Sequence, residues 1–190
     1  HKFVRKITKK SKTYYVRPDI DIDYLASKFI ENLLNELLLN NEYKGIIFDQ
    51  AFLPYDFKNY QKFIPNIKQI VVDRDPRDVY LDAINYNAYP ITNNINTFIS
   101  FYESTRKHKK DQSEKSLFIQ FEDLIYKYEE TRDLIIDFAN LKKSEFNFLT
   151  KFDPNISISN TQTWLKIKNK KHRKEIDIIS ERLNMYCYDF

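Results

Sequence analysis

Glycine is nearly missing from this chain of 190 residues: Gly45 stands alone. Loops that cradle phosphate need glycine, because the backbone must approach the ligand closely and adopt positive φ. Its scarcity excludes a Walker A loop and a Gly-x-Gly-x-x-Gly turn. Cysteine is equally scarce. Cys187 alone allows no internal disulfide framework and no zinc spacing, and a lone thiol of this kind packs as a small apolar residue. Charge of one sign is also lacking in bulk: 31 Lys and Arg against 27 Asp and Glu leave a net +4. That excess is too small to argue nucleic-acid binding, and the basic residues are dispersed except at Lys2–Lys12 and Lys166–Lys174. No apolar run approaches a membrane span and no signal peptide is visible, so a cytoplasmic protein without a transmembrane segment is expected.

Apolar residues make up 42% of the chain and aromatic residues 16%, enough for one domain with a real core. Residues 1–20 read as a basic, aperiodic arm or loop. Asp23 is placed to cap a helix running to about Asn40, with Leu25, Phe29, Leu33, Leu37 and the neighbouring Ile30, Leu34 and Leu38 as a broad buried face. Ile46–Phe48 reads as a short buried strand, and a helix over Tyr55–Phe63 must stop at Ile64-Pro65. Gln69–Asp73 and Leu117–Phe121 are further strands. Helices are expected from about Asp78 to Ala88, over Asn96–His108, over Thr131–Leu141 and over Lys170–Tyr186. In the Thr131–Leu141 helix the apolar residues are Leu134, Ile135, Phe138 and Leu141; in the last helix they are Ile176, Ile179 and Leu183. Asp153–Lys168 is mostly loop. Short buried strands separated by amphipathic helices predict a single α/β domain over 1–190, a parallel sheet with helices packed on it.

One stretch carries more chemical information than the rest. Ile70-Val71-Val72 is consecutive, β-branched and apolar; Asp75-Pro76 breaks the strand; from Asp78 the pattern turns helical through Val79, Tyr80, Leu81 and Ile84. Arg74 and Arg77 therefore fall in a tight strand-to-helix turn. There both guanidinium groups and the free amide N–H groups can converge on a phosphate or sulfate. The competing reading is an Arg-Asp-rich turn whose charges pair with one another.

The spelling Arg74-Asp75-Pro76-Arg77-Asp78-Val79 resembles the 3′-phosphate-binding motif of sulfotransferases that use phosphoadenosine phosphosulfate. The likeness extends by order of elements over roughly residues 24–190. Upstream lie Ile46–Phe48, Asp49, Gln50 and Leu53-Pro54. Downstream come Phe121-Glu122-Asp123-Leu124 and a basic loop, Ser157–Lys166, containing Trp164. The resemblance implies a three-layer, P-loop NTPase-like fold, a central parallel sheet flanked by helices. It also implies a sulfate-cradling loop near the N-terminus. The nearest string, Lys10-Ser11-Lys12-Thr13, has lysine where glycine belongs. A chain incomplete at its N-terminus, starting after that loop, is the expectation; a degenerate relative is the alternative.

Carried over by resemblance, Arg74 binds the 3′-phosphate of the nucleotide. Asp82 occupies the second phosphate position, where a serine is usual; an ionised carboxylate has no proton to donate there and repels phosphate. Asp82 is therefore expected to pair with Arg74 or Arg77. Phe121 stands where a tyrosine often lies near the adenine, and Trp164 is a second candidate to flank the base, with a core anchor for an irregular loop as its competing role. His1, His108 and His172 all fall outside the expected catalytic position, which leaves Asp49 as candidate base beside Gln50.

The co-substrate implied is 3′-phosphoadenosine-5′-phosphosulfate, with no metal. The implied activity is sulfuryl transfer to a hydroxyl of a glycan or small acceptor. The lysine for the leaving oxygen belongs to the loop not found, so this chain alone is expected to be inactive. The alternatives are a non-catalytic binding or regulatory relative and, third, a small nucleotide kinase.

Overall fold

The computed structural model describes residues 20–39, 45–87, 94–107, 114–142 and 152–190, together with the backbone of 2–4 and 14–16. The chain divides into two compact units, His1–Ile67 and Lys68–Phe190.

In the N-terminal unit, Lys2–Val4 (β1) pairs antiparallel with Tyr14–Val16 (β2), Phe3 opposite Tyr15. This strand pair stands where an arm or loop is expected, the rest of residues 1–19 lying outside the described residues, and its Phe-Val and Tyr-Tyr-Val runs have the β-branched and aromatic character that favours strands. Helix α1 spans Ile22–Leu39. Its cap is Asp21 rather than Asp23: the Tyr24 N–H donates to Asp21 Oδ1 at 3.0 Å, leaving Asp23 in the first turn. The expected buried face does not form. Leu25, Phe29, Leu33 and Leu37 are exposed, Phe29 by 70%, while Ile30, Leu34 and Leu38 are half-buried. Geometry explains the difference. The partner helix in this unit, α2 (Phe57–Phe63), has 7 residues against 18 in α1, about 10 Å against about 27 Å at the helical rise.

Residues 45–48 form no strand either, and Ile47 is 93% exposed. A strand needs partners for its N–H and C=O groups, and three apolar residues without a neighbouring ladder do not provide them. After this segment Leu53-Pro54 opens a 3₁₀ turn (Pro54–Asp56) that leads into α2, which ends before Ile64-Pro65 as expected.

The C-terminal unit holds the parallel pairing. Gln69–Asp73 (β3) lies beside Ser116–Gln120 (β4), in register from Gln69 opposite Ser116 to Asp73 opposite Gln120. The α/β class and the parallel alignment agree with the sequence; among the described residues this sheet has two strands. The helices are α3 (Pro76–Asn85), α4 (Ile95–Arg106), α5 (Asp123–Tyr126), α6 (Tyr128–Phe138), α7 (Pro154–Ser157) and α8 (Lys170–Arg182).

The core of this unit is shared by α3, α4 and α8. Tyr80, Leu81, Phe98, Ile99, Tyr102, Ile176, Ile179 and Leu183 form one buried cluster, with Trp164 and Tyr186 packed against it. Tyr80, Phe98 and Tyr102 pack in sequence with tilted rings, centroids 4.9 and 5.8 Å apart. Burying each large apolar side chain contributes roughly 1.5–3 kcal/mol. The spacing of Ile176, Ile179 and Leu183 predicts this face of α8 correctly. In α6 it does not: Thr131 and Ile136 are buried, whereas Leu134, and Leu141 beyond the helix end, are exposed. The Asp123 carbonyl accepts from the Thr131 hydroxyl at 3.1 Å, which lets a polar residue take an inward position.

Candidate nucleotide-binding edge

β3 and β4 end side by side, and the residues that follow them, Arg74 and Phe121, lie together at the carboxyl edge of the sheet. The Phe121 N–H donates to the Asp73 carbonyl at 2.6 Å, carrying the ladder one step past β4. Carboxyl edges of parallel strands are where ligands bind in open α/β folds.

The turn after β3 is built around Asp75, which is fully buried. Pro76 occupies the first helical position, where its missing N–H costs nothing. Asp75 caps α3: its Oδ1 accepts from the Arg77 N–H at 2.8 Å and from Arg77 Nε at 2.9 Å, and its Oδ2 accepts from Arg77 Nη2 at 2.5 Å. The Asp75 carbonyl accepts from the N–H groups of Asp78 and Val79. Arg77 also donates to the Tyr188 carbonyl at 3.1 Å and lies 4.0 Å over the Trp164 ring.

The expectation that both arginines and the helix amides converge on an anion is therefore corrected. Arg77 is buried, with Nε and Nη2 engaged by Asp75 and the Tyr188 carbonyl, and the first amides of α3 are satisfied by Asp75. Burial opposes the Arg77 charge, yet the Asp75 hydrogen bond and charge outweigh it and hold the guanidinium above its usual range.

Asp78 is also fully buried. Its Oδ2 accepts from the Gln162 N–H at 2.9 Å; its Oδ1 accepts from the Trp164 N–H at 3.2 Å and from the Thr163 hydroxyl. Gln162 adopts a left-handed φ of 54°, a conformation these bonds hold in place. Burial pushes the Asp78 carboxyl up, against the pull of Thr163, Trp164 and Arg74. Behind the turn, Glu122 accepts from the Asp75 N–H at 2.9 Å through Oε1, while its buried Oε2 has no partner. Burial raises the Glu122 pKa as well. Asp73 is paired with Arg106 at 2.7 Å.

Arg74 differs from its neighbours in facing outward. Its side chain is 21% exposed and that of Asp82 is 39% exposed. Nη1 donates to Asp82 Oδ2, Nη2 donates to the Asn160 carbonyl at 2.5 Å, and the guanidinium carbon lies 5.5 Å from the centre of the Phe121 ring. Nε is shielded and makes no hydrogen bond. The Tyr102 hydroxyl donates to the Arg74 carbonyl at 2.8 Å, which ties the turn to the core. The expected pairing of Asp82 with an arginine is present, and Arg74 is its partner.

Of the residues singled out in the sequence, the structure thus brings together Arg74, Asp82 and Phe121. Trp164 is half-buried against the core, with one ring face covered by Arg77. Asp49 lies exposed in a bend of the N-terminal unit, followed by Gln50 at φ 53°. His172 pairs with Glu175 at 2.9 Å on α8; His1, His108 and the Lys10–Thr13 string lie outside the described residues. Cys187 is half-buried, its thiol pushed up to about 11 by burial, as befits a packing residue.

Sequence reasoning missed Asp78, Asn160 and the Asp75–Glu122 bond. Asp75-Pro76 is a helix-start signature that was available for Asp75. No local pattern identifies a carboxylate that receives amides 84 to 86 residues away. A cavity of about 370 Å³ lined by Tyr80, Ile84, Ile95, His172 and Glu175 shares no residue with the Arg74 cluster. Among the described residues no helix is long and apolar enough to cross a membrane. No protein-family model, curated protein or solved structure matches the chain significantly.

Proposed function

We propose that the protein is a sulfotransferase-like enzyme that takes a sulfuryl group from an adenosine phosphosulfate donor, phosphoadenosine phosphosulfate in the family it resembles, to an acceptor hydroxyl on a glycan or small molecule. In the transfer the acceptor oxygen bonds to sulfur, the bond from sulfur to the phosphate oxygen breaks, and the hydroxyl proton leaves to a base. Positioning and neutralisation of the leaving phosphate carry such a reaction, with no metal required. The observation that supports the reading is the place of Arg74. It is a partly exposed guanidinium at the carboxyl edge of two parallel strands, beside the aromatic ring of Phe121. Asp49 as the base is implied by the family resemblance alone.

A second reading, nucleotide binding without transfer, is favoured by one feature. Arg77 and the first amides of α3 are consumed internally, so this turn offers one cation where two were expected. Calorimetric titration with adenosine 5′-phosphate and adenosine 3′,5′-bisphosphate tests nucleotide binding at this edge. Arg74→Ala should lower the affinity of whichever nucleotide binds at least tenfold, since a charge-assisted contact contributes roughly 1.5–3 kcal/mol. Equal affinities in the variant and the parent protein would remove Arg74 from the site.

A further inference from the structure

The Arg74–Asp82 pair is more than a departure from the family's spelling, because it changes what the site can receive. A guanidinium that awaits a phosphate keeps its fork of donors free, so that two of them can meet two anionic oxygens. Here Nη1 is spent on Asp82 Oδ2, Nη2 on the Asn160 carbonyl, and Nε is shielded from solvent. Each Nη carries a second hydrogen, and the side chain is 21% exposed. Beside them lies Asp82 Oδ1, an acceptor without a protein partner among the described residues. The charge balance points the same way. Among the described residues Arg74 is the cation that hydrogen-bonds Asp82, and its charge also steadies the buried Asp78 carboxylate. Arg77 is held by Asp75.

A phosphate monoester near neutral pH carries close to two negative charges and, on its dianion, only acceptor oxygens. Placed here it would meet an ionised Asp82 that has no proton to give, and it would have to compete with that carboxylate for Arg74. A hydroxyl suits the pair on both sides. Its oxygen accepts from an Arg74 Nη–H and its O–H donates to Asp82 Oδ1. Two neighbouring hydroxyls suit it better still.

Resting on the reading that a nucleotide binds at this edge, we propose that the Arg74–Asp82 pair selects an adenosine nucleotide with an unphosphorylated ribose 3′-hydroxyl, so that the donor is adenosine 5′-phosphosulfate rather than its 3′-phosphorylated form. Asp82 then acts as a specificity residue, exchanging recognition of an anion for recognition of a diol.

The test is calorimetric titration of the whole chain with adenosine 5′-phosphate and adenosine 3′,5′-bisphosphate at fixed salt, in the parent protein and in Asp82→Ser and Asp82→Asn. The 5′-phosphate is expected to bind the parent at least threefold more tightly than the bisphosphate. Both variants should reverse that order, because each removes the opposing charge, and Asp82→Asn keeps the shape and an acceptor for Arg74. Circular dichroism shows whether each variant is folded, and one folded variant is sufficient for the comparison. A parent that binds the bisphosphate as well or better overturns the selectivity, as does a folded variant that leaves the order unchanged. The underlying site fails in a different way: Arg74→Ala would leave both affinities unaltered. If neither nucleotide binds the parent, the site and the selectivity fall together.

Discussion

The Asp78 carboxylate, at the start of α3, accepts the backbone N–H of Gln162 at 2.9 Å and that of Trp164 at 3.2 Å, so one buried acid fixes a segment more than eighty residues downstream. That segment includes Asn160, whose carbonyl holds Arg74, and the 3₁₀ turn Thr163–Lys166 that packs Trp164 on the core. Asp78 thus shapes the carboxyl edge of the sheet around Arg74 without facing it.

Removing this carboxylate leaves two part-buried amides without their acceptor. Asp78→Ala is expected to lower unfolding stability by about 3 kcal/mol, measured by urea denaturation, given 1–3 kcal/mol for each unsatisfied buried donor. Asp78→Asn should cost less, because one amide oxygen can still accept.

Arg77 is a structural residue by its contacts, and its variants should show it. Arg77→Ala leaves Asp75 buried beside Glu122 with no cation, and a loss of about 3–5 kcal/mol is the expectation for breaking such a pair. If the variant folds, its affinity for adenosine 5′-phosphate, read by calorimetry, should match that of the parent.

Two buried acids give the stability a definite pH sign. Burial raises the carboxyl pKa of both Asp78 and Glu122 above the unfolded values. Between the unfolded pKa, about 4, and the raised folded value, the folded state binds more protons, so these groups lower stability as pH rises through that window. Glu122→Gln removes one of the two. Its stability should fall less than the parent's between pH 4 and pH 7, compared by thermal or urea unfolding at each pH. A variant that tracks the parent across the range would show that Glu122 ionises at its ordinary pKa.

The parts of the fold legible in the sequence are those set by local pattern. Ile70-Val71-Val72 and Leu117–Phe121 announce β3 and β4, Ile176, Ile179 and Leu183 announce the buried face of α8, and Pro65 ends α2. Patterns that need a partner were less reliable. The apolar stripe of α1 and the Ile46–Phe48 run have the composition of buried elements, yet burial depends on what packs against them, and a sequence window does not contain that. The site divides in the same way. The Arg74–Asp82 pair follows from helical spacing, since residue 82 lies one turn beyond Asp78 and reaches back toward the turn. The fate of Arg77 does not follow, because Tyr188, Trp164 and Asp75 take it through contacts up to 111 residues apart.

Arg74 at the carboxyl edge as the nucleotide contact is the central claim, and amide chemical-shift mapping during titration with adenosine 5′-phosphate tests it most directly. Saturable shifts are expected to centre on Arg74, Asp82, Asn160 and Phe121, and to need at least tenfold more nucleotide in Arg74→Ala. Shifts centred on the cavity of Tyr80, His172 and Glu175, or no saturable shifts at all, would contradict it.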